Sequence, residues 1–340
     1  MKCPYCMTEF DISARNGSTE PHKCEECGKE ISGLFIGNVM NKTPWFTMGM
    51  VGYSNHGKTV YVTSLFYLLR DVFMNGSHWP RFNLFALDNG TINMVFNRID
   101  QLTHGQLPAA SVVNFTEPCL IQFNHLPFRE ILFTSVYDIG GEVYEKAESI
   151  TSRARLIAQA DTLLFMISIK EEERWQGKIH ELLNKYILGL HDHLQLTPRE
   201  YQHLVVVFTK TDELVPMLPE ELQNSLIDGD YKKYLSVDHS TLEQIRAQSG
   251  VIEQWLRDQH AAGFLNLARD SFKSVHFSMV SAIGQKPDGD RLHGTIQPED
   301  PKNMLDPFLL AMGNHLSFPG EPSRKKGGLW RRMFGGGQAS

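Results

Sequence analysis

Residues 52 to 59 combine glycines, a lysine and a threonine at a spacing that suits phosphate binding. They read Gly-Tyr-Ser-Asn-His-Gly-Lys-Thr, which fits Gly-x-x-x-x-Gly-Lys-Ser/Thr without a gap. Such a loop turns backbone N–H groups toward the α- and β-phosphates of a nucleotide. Lys58 would reach the β- and γ-phosphates, and the Thr59 hydroxyl would ligate Mg²⁺. The residues predicted to line this site are Gly52, Ser54, Asn55, His56, Gly57, Lys58, Thr59 and Val60. The segment therefore predicts a nucleoside-phosphate site.

A second candidate segment lies at residues 205 to 212, where an apolar strand runs into Thr209, Lys210, Thr211 and Asp212. Guanine presents two adjacent donors, N1–H and the exocyclic amine, and one carboxylate accepts both. Adenine has no such pair, so Asp212 would select GTP over ATP. The alkyl stem of Lys210 would lie along the purine face. The alternative is ordinary loop polarity.

Two more strands end in residues that suit the same ligand. Residues 131 to 142 end in Asp-x-x-Gly, where Asp138 would hold Mg²⁺ through water and the Gly141 N–H would bond the γ-phosphate. Residues 275 to 282 place Ser281 and Ala282 after a strand, where a backbone amide would read the guanine carbonyl.

The elements around these segments alternate between strands and helices. Strands are predicted at residues 45–51, 82–87, 131–138, 161–169, 205–208 and 275–280, and helices at residues 60–73, 91–103, 142–160, 175–194, 242–259 and 301–316. Such alternation predicts an α/β fold with a mostly parallel sheet covered by helices on both faces. The phosphates would lie at a helix N-terminus, beyond the carboxyl ends of the strands.

In this order, the four segments resemble those of the Ras-like GTPase superfamily, over residues 43 to 318. The resemblance implies a P-loop GTPase that binds GTP and GDP with Mg²⁺ and hydrolyses GTP. Many relatives carry a water-orienting Gln after the switch Gly, where this chain has Glu142. With Lys58 and Glu142 as the catalytic residues, we expect slow turnover. Thr209 stands where Asn is usual and would tie the two loops together only in part, which predicts weaker, micromolar binding.

Further expectations from the resemblance concern charge near the γ-phosphate. Asn55 is placed as in translation- and tRNA-modification-type GTPases, some of which use this residue to hold K⁺; the alternative is an Asn chosen for its backbone geometry. Arg153 and Arg155 would be internal arginine fingers or solvated charges on a helix. Residues 105–118 and 140–156 resemble mobile switch regions, and either Ser111 or Thr116 would be the switch ligand of Mg²⁺.

The N-terminal segment carries a separate metal motif. Cys3-x-x-Cys6 is followed by Cys24-x-x-Cys27, a pattern suited to tetrahedral Zn²⁺. Residues 1–38 resemble a zinc ribbon, in which the metal would be structural because all four ligand positions are Cys. The alternative is two disulfides, which a cytosolic chain disfavours.

Composition limits the range of functions. The chain has 340 residues, 41% of them hydrophobic, and a net charge of −6, so general attraction to nucleic acid is not implied. The segment that resembles a zinc ribbon also has more acidic than basic residues, which counts against RNA binding. No secretory signal is evident and the longest apolar run is too short to span a bilayer, so a cytoplasmic protein is predicted.

The last segment, residues 319–340, is rich in Gly, Pro and Ser and is predicted to be disordered. Its Leu329, Trp330 and Phe334 stand among basic residues and suggest docking on a protein partner. The alternatives are peripheral attachment to an anionic membrane and an ordinary basic tail.

Taken together, the motifs predict a GTP-dependent switch that regulates a protein partner and resembles bacterial double-GTPase or conflict-system GTPases of the TRAFAC class. The alternatives are a non-hydrolysing scaffold, a nucleic-acid-associated GTPase and a P-loop kinase or ATPase.

Overall fold

The structure is a computed structural model, and it describes residues 1–11, 19–109, 118–138, 155–169 and 175–321. Its strands are β1 (His22–Lys23), β2 (Glu30–Ile31), β3 (Trp45–Val51), β4 (Asn83–Ala86), β5 (Cys119–Leu126), β6 (Arg129–Asp138), β7 (Thr162–Ile167), β8 (His203–Phe208) and β9 (Ser274–Met279).

Its α-helices are α1 (Gly33–Met40), α2 (Lys58–Tyr67), α3 (Asn89–Thr91), α4 (Asn97–Thr103), α5 (Arg155–Ala158), α6 (Trp175–Leu194), α7 (Glu220–Ile227), α8 (His239–Asp258), α9 (Ala262–Ser271) and α10 (Asp306–Gly313). Two π-helical segments follow α2 and α3, at Leu68–Met74 and Ile92–Phe96. Across the described ranges, no helix is both long and apolar enough to cross a bilayer.

Seven strands form one sheet in the order β4-β5-β6-β3-β7-β8-β9. From β6 to β9 all neighbours are parallel, while β4 and β5 are antiparallel additions at one edge. The chain builds β4 to β6 on one side of β3 and β7 to β9 on the other. The carboxyl end of β3 is therefore a topological switch point, where open α/β sheets bind their ligands.

Strand residues alternate between two hydrophobic cores, one on each face of the sheet. On β7, Leu164 and Met166 belong to one core with residues of α2 and α10, whereas Leu163 and Phe165 belong to the other with residues of α6 and α9. Strands covered in this way are apolar on both faces, which explains their continuous hydrophobic runs. The structure confirms the predicted mixed α/β fold, with a mostly parallel sheet and helices.

Several elements differ from the sequence-based prediction. Strand β5 and helix α9 were not predicted, and the helix expected at residues 91–103 is divided into α3, a π-helical segment and α4. The final helix is also shorter than expected. Strands β5 and β6 form a hairpin whose Leu126 pairs with Arg129. Its two-residue connection lacks the Gly and Asn that usually reveal such turns.

The cysteine-bearing segment packs directly on the sheet. A third core joins Tyr5, Ile31 and Phe35 of this region to Leu120 of β5 and Phe133 of β6. The rings of Phe35 and Phe133 meet edge to face at 5.5 Å. This segment therefore occupies one face of β5 and β6, as a covering helix would.

One hydrogen bond links this segment to the end of β6. The Tyr137 hydroxyl donates to the carbonyl oxygen of Pro4 at 3.1 Å, and Pro4 lies between Cys3 and Cys6. The cysteine knuckle is thus anchored on the residue that precedes Asp138.

A buried histidine lies at the amino end of the parallel strands. His203 begins β8 and is 5% exposed; its Nδ1 lies 2.6 Å from Ser274 Oγ. Its Nε2 makes no hydrogen bond within the described part of the chain. The ring of His315 packs edge-on against it at 4.8 Å. Burial, together with the nearby His315, Lys273 and His276, lowers the pKa of His203 to about 3.

We expect acid to destabilise the protein through His203. The unfolded chain binds a proton below pH 6.5, which the folded chain takes up only near pH 3. Stability from this residue is fully present above pH 6.5, and at pH 5 about 2 kcal/mol is lost. His203→Asn keeps a polar atom near Ser274 without this titration, so it should lose correspondingly less. Urea unfolding of both proteins at about pH 7.5 and pH 5 measures the difference; parallel losses would contradict the prediction.

Candidate nucleotide site and cysteine cluster

The phosphate loop connects β3 to α2 and has the backbone geometry that its glycines allow. Gly57 has φ 75° and precedes α2, and Asn55 has φ 66°. A Cβ on Gly52 would lie 2.6 Å from the carbonyl oxygen of Met166, which allows only glycine there. Left-handed backbone is open to glycine and tolerated by Asn. The N-terminus of α2 thus faces the concave side of the loop.

Two side chains brace this loop against neighbouring strands. His56 is buried, and its Nδ1 lies 3.1 Å from the carbonyl oxygen of Met166 in β7. Because a carbonyl only accepts, Nδ1 carries the proton in this contact. The Thr209 hydroxyl lies 3.0 Å from the carbonyl oxygen of His56 and 3.2 Å from that of Ile167. The loop after β8 is therefore tied to the phosphate loop by a threonine.

Lys58 crosses the inside of the loop. Its Nζ donates to the carbonyl oxygens of Gly52 and Tyr53 at 2.8 and 2.9 Å, and the side chain is buried. The ammonium group therefore lies inside the loop, where the phosphate chain of a nucleotide would bind. The amine is oriented by the loop itself, so little reorganisation is needed when an anion binds.

The hydroxyl of Thr59 and the carboxylate of Asp138 meet at the ends of α2 and β6. Thr59 Oγ1 donates to Asp138 Oδ2 at 2.9 Å, and Asp138 is 1% exposed. A hydroxyl and a carboxylate are hard oxygen ligands of the kind that Mg²⁺ takes beside substrate phosphates. The pair therefore fits a magnesium ion held by Thr59, with Asp138 behind it.

A cation outside every predicted motif also approaches this pair. Arg98 of α4 has its Nη1 3.8 Å from Asp138 Oδ2. No local pattern around residue 98 reveals this contact, because α4 reaches β6 only through the fold.

The residues predicted to recognise the base lie together at the ends of β8 and β9. Lys210 has φ 56°, and Asp212 lies on the short 3-10 turn Thr211–Glu213. The Ser281 hydroxyl donates to Asp212 Oδ1 at 2.5 Å, while the Ser281 N–H bonds the carbonyl oxygen of Lys302 at 3.2 Å. The Asp212 carboxylate is thus held in place from the neighbouring strand. Ala282, the residue after Ser281, is partly buried.

Several predicted site residues lie outside the described ranges. They are Ser111, Thr116, Gly141, Glu142 and Arg153, together with Leu329, Trp330 and Phe334 of the tail. The side chain of Arg155 is likewise outside the description.

The four N-terminal cysteines form one cluster whose sulfur atoms all lie within 4.8 Å of one another. Cys3 and Cys27 are 3.8 Å apart at sulfur, and Cys6 and Cys24 are 3.7 Å apart. Disulfide sulfurs are about 2.05 Å apart, so these cysteines are free thiols. Sulfurs at about 2.3 Å from a tetrahedral zinc ion would be separated by about 3.8 Å, which matches.

The pKa values of the thiols in the cluster differ: burial raises the pKa of Cys3 and of Cys27, whereas the pKa of Cys24 is lowered. Burial opposes ionisation of the Cys24 thiol, but the backbone N–H groups of Cys27 and Glu26 bring its pKa down to about 7. The thiolate is the form that binds metal. His22 stacks on Phe10 with ring centroids 4.9 Å apart and does not join the cluster. The cluster could hold a zinc ion with cysteine ligands alone.

No protein-family model matches the chain, and no curated protein matches it. Among solved structures 179 chains match. One is the GTPase-like domain of Ski7 from S. cerevisiae, crystallised with GTP bound; it is 14% identical, with a TM-score of 0.34. The match covers 82% of this chain and 52% of the Ski7 chain, so this chain spans about half the length of the Ski7 chain. A likeness this weak carries no argument about ligand or activity.

Proposed function

We propose that this protein binds GTP and GDP with Mg²⁺ and hydrolyses GTP slowly to GDP and phosphate. The observation that carries the proposal is the gathering of three parts at one edge of the sheet. Lys58, the Thr59–Asp138 pair and the Asp212–Ser281 pair all follow the carboxyl ends of parallel strands around the switch point. This is the arrangement that a triphosphate, its metal ion and a guanine base require.

Each residue has a role that follows from its position. Lys58 neutralises charge on the β- and γ-phosphates, and the N–H groups at the start of α2 hold the phosphate oxygens. Magnesium bound at Thr59 would supply positive charge to the β- and γ-phosphate oxygens. Asp212 accepts both guanine donors, and the engaged N–H of Ser281 leaves the guanine carbonyl to the N–H of Ala282. Glu142 would orient the attacking water, and its negative charge near the γ-phosphate would keep hydrolysis slow.

For the cysteine cluster we propose a structural zinc ion. The four-sulfur geometry leaves no position for a substrate, and the segment packs its knuckle against β6. Closed four-ligand sites of this kind support folding rather than catalysis.

The proposed switch regions, residues 105–118 and 140–156, and the tail residues 329–334 would contact a protein partner in the cytoplasm. A scaffold that binds GTP without hydrolysing it is the main alternative. Phosphate release above background, measured with and without K⁺, distinguishes the two and tests the role given to Asn55.

Lys58→Gln is expected to weaken binding of GTP and GDP by about 100-fold, since the charge that faces the phosphates is lost. Gln still offers donors to the carbonyl oxygens of Gly52 and Tyr53, so the fold should remain. Calorimetry with GTP, GDP and ATP measures the effect, and the unmodified protein should bind ATP far more weakly than GTP.

The matched control is Lys42→Gln, an exposed lysine at the opposite end of β3. It should bind like the unmodified protein. Equal binding of ATP and GTP by the unmodified protein would refute the guanine assignment. Binding of neither nucleotide would refute the proposal as a whole.

A further inference from the structure

Arg98 is a half-buried cation beside the metal side of the candidate nucleotide site. Its Nη1 lies 3.8 Å from Asp138 Oδ2, the oxygen that accepts the Thr59 hydroxyl, and its side chain is 20% exposed. A separation of 3.8 Å is an ion pair without a hydrogen bond. Within the described ranges, Arg98 donates no hydrogen bond, although a guanidinium has five donors. The guanidinium is therefore close to the site, but the site does not satisfy its hydrogen-bond donors.

The helix that carries Arg98 is held firmly in place. Ile99 and Leu102 of α4 are completely buried in the core that also contains residues of α2. On the outer side, the Arg70 guanidinium bonds Asp100 at 3.2 Å and lies 5.5 Å from the centre of the Phe96 ring. Arg98 is thus positioned by a braced element, which lowers the entropy lost when it contacts a ligand.

The π-helical segment Ile92–Phe96 lies directly before the helix that carries Arg98. Its wider turn inserts extra chain before α4, so the residues that follow face a different direction than in a continuous α-helix. Segments of this type are rare and are often found at functional sites. Ile99 is buried in the core, while the Arg98 guanidinium lies beside Asp138, the last residue of β6.

If Arg98 served only to stabilise Asp138, a closer and hydrogen-bonded pair would be expected. A buried carboxylate is best satisfied by a guanidinium in a bidentate pair with short hydrogen bonds, and Arg98 makes neither. By contrast, the γ-phosphate of a nucleotide with Mg²⁺ at Thr59 would lie near Asp138. Its oxygens would offer the acceptors that the guanidinium lacks.

We propose that Arg98 contacts the γ-phosphate of bound GTP and supplies positive charge to it from within the chain. This inference rests on the proposed function. In hydrolysis the water oxygen forms a bond to the γ-phosphorus, and the bond from that phosphorus to the β–γ bridging oxygen breaks. The electron pair of the broken bond stays on GDP, and both protons of the water go to the released phosphate, which leaves as H₂PO₄⁻. Arg98 transfers no proton; it stabilises the charge that spreads over the γ-phosphate oxygens.

The test compares Arg98→Gln with the unmodified protein, both loaded with zinc and in Mg²⁺, by calorimetry with GDP and with the slowly hydrolysed analogue GTPγS. We expect affinity for GTPγS to fall by about tenfold and affinity for GDP to change less than about twofold, because only the triphosphate has the group contacted. Single-turnover GTP hydrolysis should fall by at least about 100-fold. Arg98→Lys should recover part of the GTPγS affinity but little of the rate, since it keeps the charge without the planar donors.

The matched control is Arg129→Gln, at the start of β6 and so at the opposite end of the strand from Asp138; it should change neither affinity. Equal losses for GDP and GTPγS in Arg98→Gln, or no loss for either, would overturn the inference and leave the proposed function standing. Failure of the unmodified protein to bind either nucleotide would overturn both.

Discussion

Asp212→Asn is expected to change the preferred nucleotide from GTP to xanthosine triphosphate. Xanthine has a carbonyl where guanine has its exocyclic amine, and both keep the N1–H. The Asp212 carboxylate accepts from both guanine donors but repels the xanthine carbonyl. An Asn side chain offers one acceptor and one donor, so it matches xanthine and leaves the guanine amine facing another donor.

The size of the effect follows from burying unpaired polar groups. Sites built to hydrogen-bond a particular group reject analogues that lack it by about 10⁴-fold, so a loss of GTP affinity of about 10³-fold or more is expected. The site should stay assembled, because the Asn Oδ1 can still accept from Ser281, as Asp212 Oδ1 does at 2.5 Å.

Competition between GTP and xanthosine triphosphate for a fluorescent GDP analogue measures this change. The control, Asp270→Asn, removes the same charge from an exposed position on α9 and should leave the preference for GTP intact. If Asp212→Asn still binds GTP within about tenfold of the unmodified protein, Asp212 does not recognise the base.

Removal of the proposed zinc ion from the cysteine cluster is expected to cause the largest loss of stability. Small zinc segments obtain their folding free energy from the metal. Among the described residues of this segment, 1–11 and 19–31, only Pro4, Tyr5, Met7 and Ile31 are buried apolar side chains besides cysteines. Here the loss should extend further, because Phe35 and Phe133 share a core with the cluster. We expect Cys24→Ser to reduce the free energy of unfolding by at least about 4 kcal/mol.

Metal analysis and urea unfolding test this prediction together. The unmodified protein should contain one zinc ion per chain, and Cys24→Ser should contain none. Cys119→Ala removes the buried cysteine that lies outside the cluster and should keep its zinc. An unmodified protein that folds equally well after treatment with a strong chelator would contradict the structural role.

Much of the architecture can be predicted from the chain because each motif follows a strand. Parallel strands place their carboxyl ends at one edge, so the sequence alone leads us to expect that residues 52–59, Asp138 and Asp212 meet there. Local sequence identifies three of these elements without other information. Strands β7 and β8 are continuous apolar runs, and α6 has a helical pattern of apolar residues over 20 residues. Local pattern is sufficient where both faces of a strand are buried.

What could not be predicted depends on contacts between distant residues. Strand β5 was missed because its connection to β6 lacks a recognisable turn signal, and its residues read only as an apolar stretch. Arg98 was missed because its contact with Asp138 joins two residues that are far apart in the chain. The side-chain role of His56 was also hidden, since its bond to Met166 depends on the pairing of β3 with β7.

The hydrogen bond from Tyr137 to Pro4 has a thermodynamic consequence. Tyr137 and Asp138 are consecutive on β6, so the same backbone that anchors the cysteine knuckle also carries the carboxylate behind the proposed magnesium position. Binding free energies between linked sites are reciprocal. If zinc orders this end of β6 and so tightens GTP binding, then bound GTP must raise the affinity for zinc by the same factor. The nucleotide-loaded protein would then yield its zinc to a chelator less readily than the empty one, and cellular zinc supply would set how much of the protein can hold GTP.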